Sequence, residues 1–307
     1  MVQDIPDLDE LLLKLETLRL LGERENIEVQ EIAKNIGIHE WEAVKLVEKL
    51  RENYLITWNK DRVVWLSGDN PAKIKPWGWN YVYKIVVGST MLTSRHTPPW
   101  SIVVAEFQSR GYGRHGKRWI SDLGGIWMTL KLETTPRAAQ VLPMIVPVII
   151  CDFLGEKLGV KAGIKWPNDI MVKGKKLAGF LIEAEIILNK VHVYLGIGVN
   201  ANNSVPLEQA VSLKGVLDKL IPRNSIIAYI AGVLSRVESL AADTSKIEAR
   251  YLELLETLGK RVKVVVKDFT YTGVARGVTE SGDLIVETDT GFHKFSSGEV
   301  FELRHLE

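Results

Sequence analysis

Through the first fifty residues hydrophobic positions recur three and four apart, then alternate with polar ones, which predicts helices followed by a hairpin. Leu8, Leu11, Leu12, Leu15, Leu18 and Leu21 mark a first helix. Residues 29–36 form a second that breaks at Gly37, and a third runs from about His39 to Tyr54 with Trp41, Val44, Val47 and Leu50 on one face. Residues 55–58 and 63–65 flank Asn59-Lys60-Asp61-Arg62 and read as a hairpin. Three helices, a glycine-containing turn and a β-wing predict a winged helix-turn-helix over residues 1–70. Ser67-Gly68-Asp69-Asn70-Pro71 punctuates its end.

Beyond that turn the pattern mixes strands and helices. Strand-like runs fall at 81–87, 101–106, 127–132, 164–166, 181–187 and 191–196. Helical runs fall at 138–158, 207–217 and 224–243. Strands clustered in hairpins with longer helical inserts predict α+β with a central mixed sheet over residues 71–258, not a doubly wound parallel one. From 259 to 307 the pattern is all-β, with strands at 261–267, 270–278, 283–287, 292–296 and 300–303, and predicts a small β-barrel.

Length and charge sharpen this division. The 307 residues suit two or three domains, and the 46% apolar, 25% charged balance is that of a soluble globular protein. Residues 1–70 hold nine basic and fifteen acidic residues, a net of −6, whereas the rest carries +7. DNA affinity depends on lysines and arginines that release phosphate counterions. The third helix instead sets Glu40, Glu42, Glu48 and Glu52 against Lys45, Lys49 and Arg51. Lys45, Lys49, Lys60 and Arg62 are the candidate DNA contacts; the alternative is a module that only packs against its own body or a partner. The single cysteine, Cys151, excludes an internal disulfide and a cysteine-rich zinc site, and no metal-ligating residues are expected. No signal-peptide layout opens the chain, and residues 141–151, the longest apolar stretch, are too short to span a bilayer. The expected setting is the cytoplasm, away from membranes.

The strongest chemical signal is Gln108-Ser109-Arg110-Gly111-Tyr112-Gly113-Arg114-His115-Gly116-Lys117-Arg118-Trp119. Its glycines fit G-x-G-x-x-G, but no amphipathic helix follows, so the dinucleotide-binding reading fails. What remains is a glycine-hinged loop with four cations and no carboxylate between Glu106 and Asp122, suited to neutralising phosphates and closing around a ligand. In Lys165-Trp166-Pro167-Asn168-Asp169 the proline keeps Trp166 extended, so Asn168 and Asp169 project from a turn. Asn168 could read a purine edge, and Asp169 could hold a metal or pin the turn. In Lys175-Lys176-Leu177-Ala178-Gly179 an inward lysine would stabilise a carboxylate or an α-phosphate. Gly196-Ile197-Gly198-Val199-Asn200 leaves room for an apolar ligand chain to lie on the backbone.

These segments, in this order, resemble the biotin protein ligases over nearly the whole chain, and the leading module resembles that of the biotin repressors. The resemblance implies biotin and ATP as substrates, Mg²⁺ as cofactor, and transfer through biotinyl-adenylate to a lysine of a carrier such as the biotin carboxyl carrier protein of acetyl-CoA carboxylase. Operator DNA is a further implied partner, and a homodimer through exposed sheet edges stays open. Arg114 and Lys176 are the implied catalytic residues. Biotin would meet Ser89, Thr90, Met91, Gln108, Tyr112, Gly113, Arg114, Lys176, Gly196 and Gly198. ATP would meet Lys117, Arg118, Trp119, Lys165, Asn168, Asp169 and Asn200. The sequence departs from the family pattern at Met91, where asparagine is usual, at Tyr112, the usual first loop arginine, and at Lys117, where a third is common. The alternatives are a lipoate-type ligase and a protein that is mainly a DNA-binding repressor.

Overall fold

The computed structural model describes residues 8–187 and 190–306; the first seven residues of the acidic leading segment lie outside the described residues. Helices α1 (Leu8–Glu23), α2 (Val29–Ile36) and α3 (Glu40–Arg51) pack around Leu18, Leu21, Ile32, Val47 and Leu50; of the expected apolar positions Leu8, Leu12, Trp41 and Val44 are exposed, and α3 turns Ala43 and Leu46 inward instead. Helix α2 stops at Gly37, whose φ of 76° turns the chain while its N–H reaches Ala33. Strands β1 (Ile27–Glu28), β2 (Ile56–Asn59) and β3 (Arg62–Trp65) form a small antiparallel sheet in the order β1-β3-β2. The hairpin falls where it was expected; the two-residue β1 was not foreseen.

The body is one seven-stranded mixed sheet. Its strands are β4 (Asn80–Val87), β5 (Ser101–Gln108), β6 (Ile126–Thr134), β7 (Gly163–Lys165), β8 (Asp169–Val172), β9 (Lys175–Ile187) and β10 (Lys190–Val199), in the order β4-β5-β6-β10-β9-β8-β7. Among the described residues only the β4–β5 strand pair runs parallel. After the short α4 (Thr90–Ser94), the long α5 (Pro136–Leu158) packs on this sheet with Leu142, Ile145, Val146 and Leu154 buried. It is long and apolar enough to cross a membrane, yet it is mostly buried, as a core helix would be. Thr135 caps its start ahead of Pro136, and Gly159, at φ 66°, ends it.

Two expected helices are corrected. Within 207–217 only α6 (Leu213–Leu217) is helical, because Ala210 is held in a bridge to Lys176: the Lys176 N–H donates to Gln209 O (2.9 Å) and the Val211 N–H to Lys176 O (2.9 Å). The 224–243 run splits into α7 (Arg223–Leu234) and α8 (Val237–Ala242), the restart turning Val237 and Ala241 inward. An unforeseen α9 (Ser245–Leu254) follows.

The tail carries β11 (Arg261–Val266), β12 (Phe269–Val278), β13 (Leu284–Thr288), β14 (Gly291–Phe295) and β15 (Val300–His305), ordered β14-β13-β12-β11-β15 and all antiparallel. Among the described residues the tail forms a five-stranded antiparallel sheet where a small β-barrel was expected, and no pairing joins β14 to β15.

Candidate functional site

A cavity of about 380 Å³ opens between the 111–119 loop, the sheet face of β9 and β10, the turn after β7 and strand β15. Its buried end is polar and neutral. Gln108 Oε1 accepts from the Thr90 N–H (2.7 Å) and hydroxyl (3.0 Å), Gln108 Nε2 donates to Ser121 (2.7 Å), and Thr129 donates to Thr90 (2.8 Å). Ser89 and Thr90 are almost fully buried here. One Gln108 amide hydrogen is left for a ligand acceptor. The middle of the cavity is floored by glycine: a Cβ on Gly198 would sit 2.6 Å from the Trp119 indole, and one on Gly196 would sit 2.8 Å from Met91 Sδ. The flat indole therefore lies directly on the strand. Trp119 Nε1 is buried without a partner, a donor awaiting an acceptor.

The other end is cationic. Gly113 N–H bonds Lys117 O (2.8 Å) and Trp119 N–H bonds Gly111 O (2.9 Å), so the loop folds back on itself and presents Arg114, Lys117 and Arg118 along one rim. Gly111 is required by that fold, since a Cβ there would meet Ser121 Oγ at 2.6 Å. Lys176 reaches in from β9, pairs with Asp169 (2.6 Å), and lies 4.9 Å from the centre of the Trp119 ring. Burial lowers the Arg114 pKa, and Asp169 opposes that shift. Burial, together with Glu183, raises the Tyr112 phenol. Asn168 spends its amide donor on Phe180 O (2.8 Å), leaving its oxygen toward Arg114 (3.5 Å). Asp169 thus serves as the partner of Lys176, and Asn168 as a fixture of its turn.

Comparison with known proteins adds a second line of evidence. Residues 86–200 match the Biotin/lipoate A/B protein ligase family, and residues 257–301 match the Biotin protein ligase C terminal domain. Together these matches support a biotin protein ligase. It is 29% identical over 249 residues to the bifunctional ligase/repressor BirA of Bacillus subtilis, covering 74% of this chain and 75% of that one. It is 27% identical over 221 residues to the biotin–[acetyl-CoA-carboxylase] ligase of Mycobacterium tuberculosis, covering 66% and 79%. The biotin protein ligase of Aquifex aeolicus in complex with biotin and ATP superposes with a TM-score of 0.64 at 25% identity, covering 74% of this chain and 99% of that structure.

Within this biotin protein ligase architecture, every residue expected at the site lines the cavity except Asn200. That side chain instead accepts from Asn203 (3.1 Å), and its N–H bonds Leu177 O (3.0 Å). The cavity also takes His115, Met128, Phe180, Leu181, Ile197, Phe301, Glu302 and Leu303, which sequence reasoning missed. The last three come from the tail, more than 180 positions from the loop they face, and no spacing rule reaches that far. The candidate DNA contacts lie elsewhere, on α3 and the hairpin. There Lys49 pairs with Glu10, Arg62 with Glu28, and Lys45 sits over Trp41, while Lys60 occupies the hairpin turn at φ 59°.

Proposed function

We propose that this ligase activates biotin with ATP and passes the biotinyl group to a lysine of a carrier protein, such as the biotin carboxyl carrier protein of acetyl-CoA carboxylase. The observation that carries this reading is the change of chemistry along one cavity: neutral hydrogen-bonding groups at the buried end, a glycine floor in the middle and cations at the rim. A ureido ring, an aliphatic chain and a carboxylate beside a triphosphate follow the same order. In the first step the biotin carboxylate attacks the α-phosphate, the new O–P bond forms as the bridge to the β-phosphate breaks, and pyrophosphate leaves. In the second the carrier amine attacks the acyl carbon and AMP leaves.

Bringing a carboxylate to a phosphate sets two anions together, so Arg114 and Lys176 stabilise charge where it builds up, with Lys117 along the phosphates. No cluster of three metal-ligating side chains exists among the described residues; the cavity offers the carboxylates of Asp169 and Glu302. That sparse set fits Mg²⁺, which is held largely by water and substrate phosphates and supplies charge neutralisation there. The match of residues 257–301 favours biotin over lipoate. On this reading the reaction runs in the cytoplasm, where ATP and carrier are supplied.

The test is transfer of labelled biotin to an acetyl-CoA carboxylase carrier domain with ATP and Mg²⁺, alongside calorimetry with biotin and with lipoate. Absence of both labelling and biotin binding rejects the reading. A repressor role is a second reading, supported by the three helices and hairpin at residues 8–65 and by the ligase/repressor names of relatives. It calls for Lys45, Lys49, Lys60 and Arg62 to meet phosphates. A gel shift that weakens with salt, and only when biotin and ATP are both present, tests it.

A further inference from the structure

Helix α4 and its cap residue bring Ser89, Thr90 and Met91 to the buried end of the cavity, yet five residues are too few to hold a helix by themselves. The start of α4 is tied down by Gln108 and Thr129, as described above. Its far end is held by the sheet. The register sets Lys131 of β6 opposite Tyr194 of β10, and Tyr194 opposite Glu183 of β9. These three stand abreast on one sheet face, one row beyond Thr129, Gly196 and Leu181, which lie at the cavity. Lys131 is 7% exposed, and among the described residues no carboxylate pairs with it. Its ammonium donates instead to Thr97 O (2.6 Å) and Arg95 O (3.3 Å), just past α4, and lies 5.3 Å from the centre of the Tyr194 ring. Arg95 lies 4.7 Å from the same ring centre and pairs with Glu183 (2.5 Å). The Tyr194 hydroxyl donates to Glu185, which fixes the ring. A buried ammonium is costly unless its hydrogens are taken up, and here two carbonyls and an aromatic face do so.

We propose that Lys131 and Tyr194 are positioning residues: they anchor the end of α4 and so fix Ser89, Thr90 and Met91 where the head of biotin would sit. Neither side chain lines the cavity. The link between anchor and ligand end is short. Thr97 Oγ1 donates to Ser94 O (2.9 Å), Ser94 Oγ to Met91 O (2.7 Å), and Thr93 Oγ1 to Ser89 O (3.0 Å). A run of hydrogen bonds thus joins the segment that Lys131 grips to the residues that face the ligand. A displaced α4 would weaken contacts to the head and leave the cationic rim, beyond the glycine floor, as it is. The anchor stands independently of the proposed function, but its consequence for biotin rests on that reading.

Amide hydrogen exchange of the full chain without ligand reads the anchor directly. The N–H groups of Thr93, Arg95, His96 and Thr97 bond within α4 and the turn that ends it. Lys131→Met is expected to speed their exchange about tenfold and to leave the amides of β6 and β10 unchanged. Tyr194→Leu, which removes the aromatic face, should act in the same direction, and Lys131→Arg, which can still donate to both carbonyls, should restore slow exchange. In binding and turnover, Lys131→Met should raise the Kd for biotin about tenfold, with KM for ATP and kcat at saturating biotin changed less than about twofold. A general loss of structure would move all of these together. Unaltered exchange across α4 in both Lys131→Met and Tyr194→Leu overturns the anchor, and so does a rise in KM for ATP that matches the rise for biotin. Faster exchange across α4, with neither the altered nor the unaltered protein binding biotin, keeps the anchor and rejects the biotin reading.

Discussion

Gly198 and Lys176 show how narrowly single positions define the cavity. An alanine at 198 would place its methyl 2.6 Å from three atoms of the Trp119 ring, and the strand beneath cannot retreat because β10 is paired on both sides by β6 and β9. The indole must lift into the space an aliphatic chain would use. Gly198→Ala is therefore expected to lower stability by about 1–3 kcal/mol and to raise KM for biotin, read by thermal unfolding and by turnover at varied biotin. Lys176 acts through charge. On the proposed reading its removal takes away a cation at the reacting carboxylate, so Lys176→Met should cut adenylate formation by about 10²–10³, equivalent to about 2.7–4 kcal/mol of transition-state stabilisation. Arg114→Ala should slow the same step and let the intermediate escape. Pyrophosphate release at the unaltered rate from Lys176→Met would reject that assignment.

Among the elements, those with local signals were the legible ones. The three amphipathic helices, the hairpin and the glycine-rich loop could be read because short windows of sequence carry their spacing or turn chemistry. Residues 207–217 could not, because the bridge at Ala210 is set by its pairing with the Lys176 backbone, far away in sequence, which outweighs local helical preference. The tail strands were legible, but their attachment to the site was not. That attachment includes a titratable joint. His305 Nε2 lies 3.1 Å from the Thr257 hydroxyl, which accepts from the Trp166 N–H (3.1 Å), while Lys260 faces Nδ1 (3.5 Å). Burial, then Lys260 and Lys165, push the ring down to about 4 from its ordinary 6.5. The unfolded chain takes up that proton near 6.5 and the folded one only near 4, so the contribution is complete above 6.5 and is lost as pH falls toward 4. The ring is partly exposed, so solvent screening reduces the effect to about 1 kcal/mol, or about 2 °C in Tm. His305→Gln should flatten the difference in Tm between pH 7.5 and pH 5; an undiminished slope would place the pH sensitivity elsewhere.

At the scale of the molecule, Arg223 decides how the leading module sits on the body. The stretch expected to punctuate the two is packed: Asp69 and Asn70 are fully buried. The Arg223 guanidinium, itself 1% exposed, donates to Asp69 Oδ1 (2.7 Å), Glu106 Oε2 (2.8 Å) and Gly125 O (3.0 Å). Asp69 also accepts from the Leu55 N–H (2.9 Å) and the Trp65 indole (3.0 Å). Tyr54 bridges from the end of α3 to Glu106 (3.0 Å) and to the Gly124 N–H (3.0 Å). Burial opposes the arginine's charge, but Asp69 and Glu106 more than restore it and hold its pKa far above the ordinary value. This joint lies on the same stretches of chain as the cavity: Glu106 precedes Gln108 on β5, and Gly124–Gly125 follow Ser121. The sequence hid it because its partners stand 117 and 154 positions apart. Arg223→Met would leave two carboxylates buried without their cation, costing about 3–5 kcal/mol. Combining it with Asp69→Asn and Glu106→Gln removes the stranded charges and should recover most of that loss, measured by denaturant unfolding. Recovery would assign the cost to charge; a triple variant as unstable as the single one would assign it to packing around the guanidinium. With the joint broken, biotin affinity should also fall, since Gln108 and Ser121 lose the backbone anchorage on either side of them.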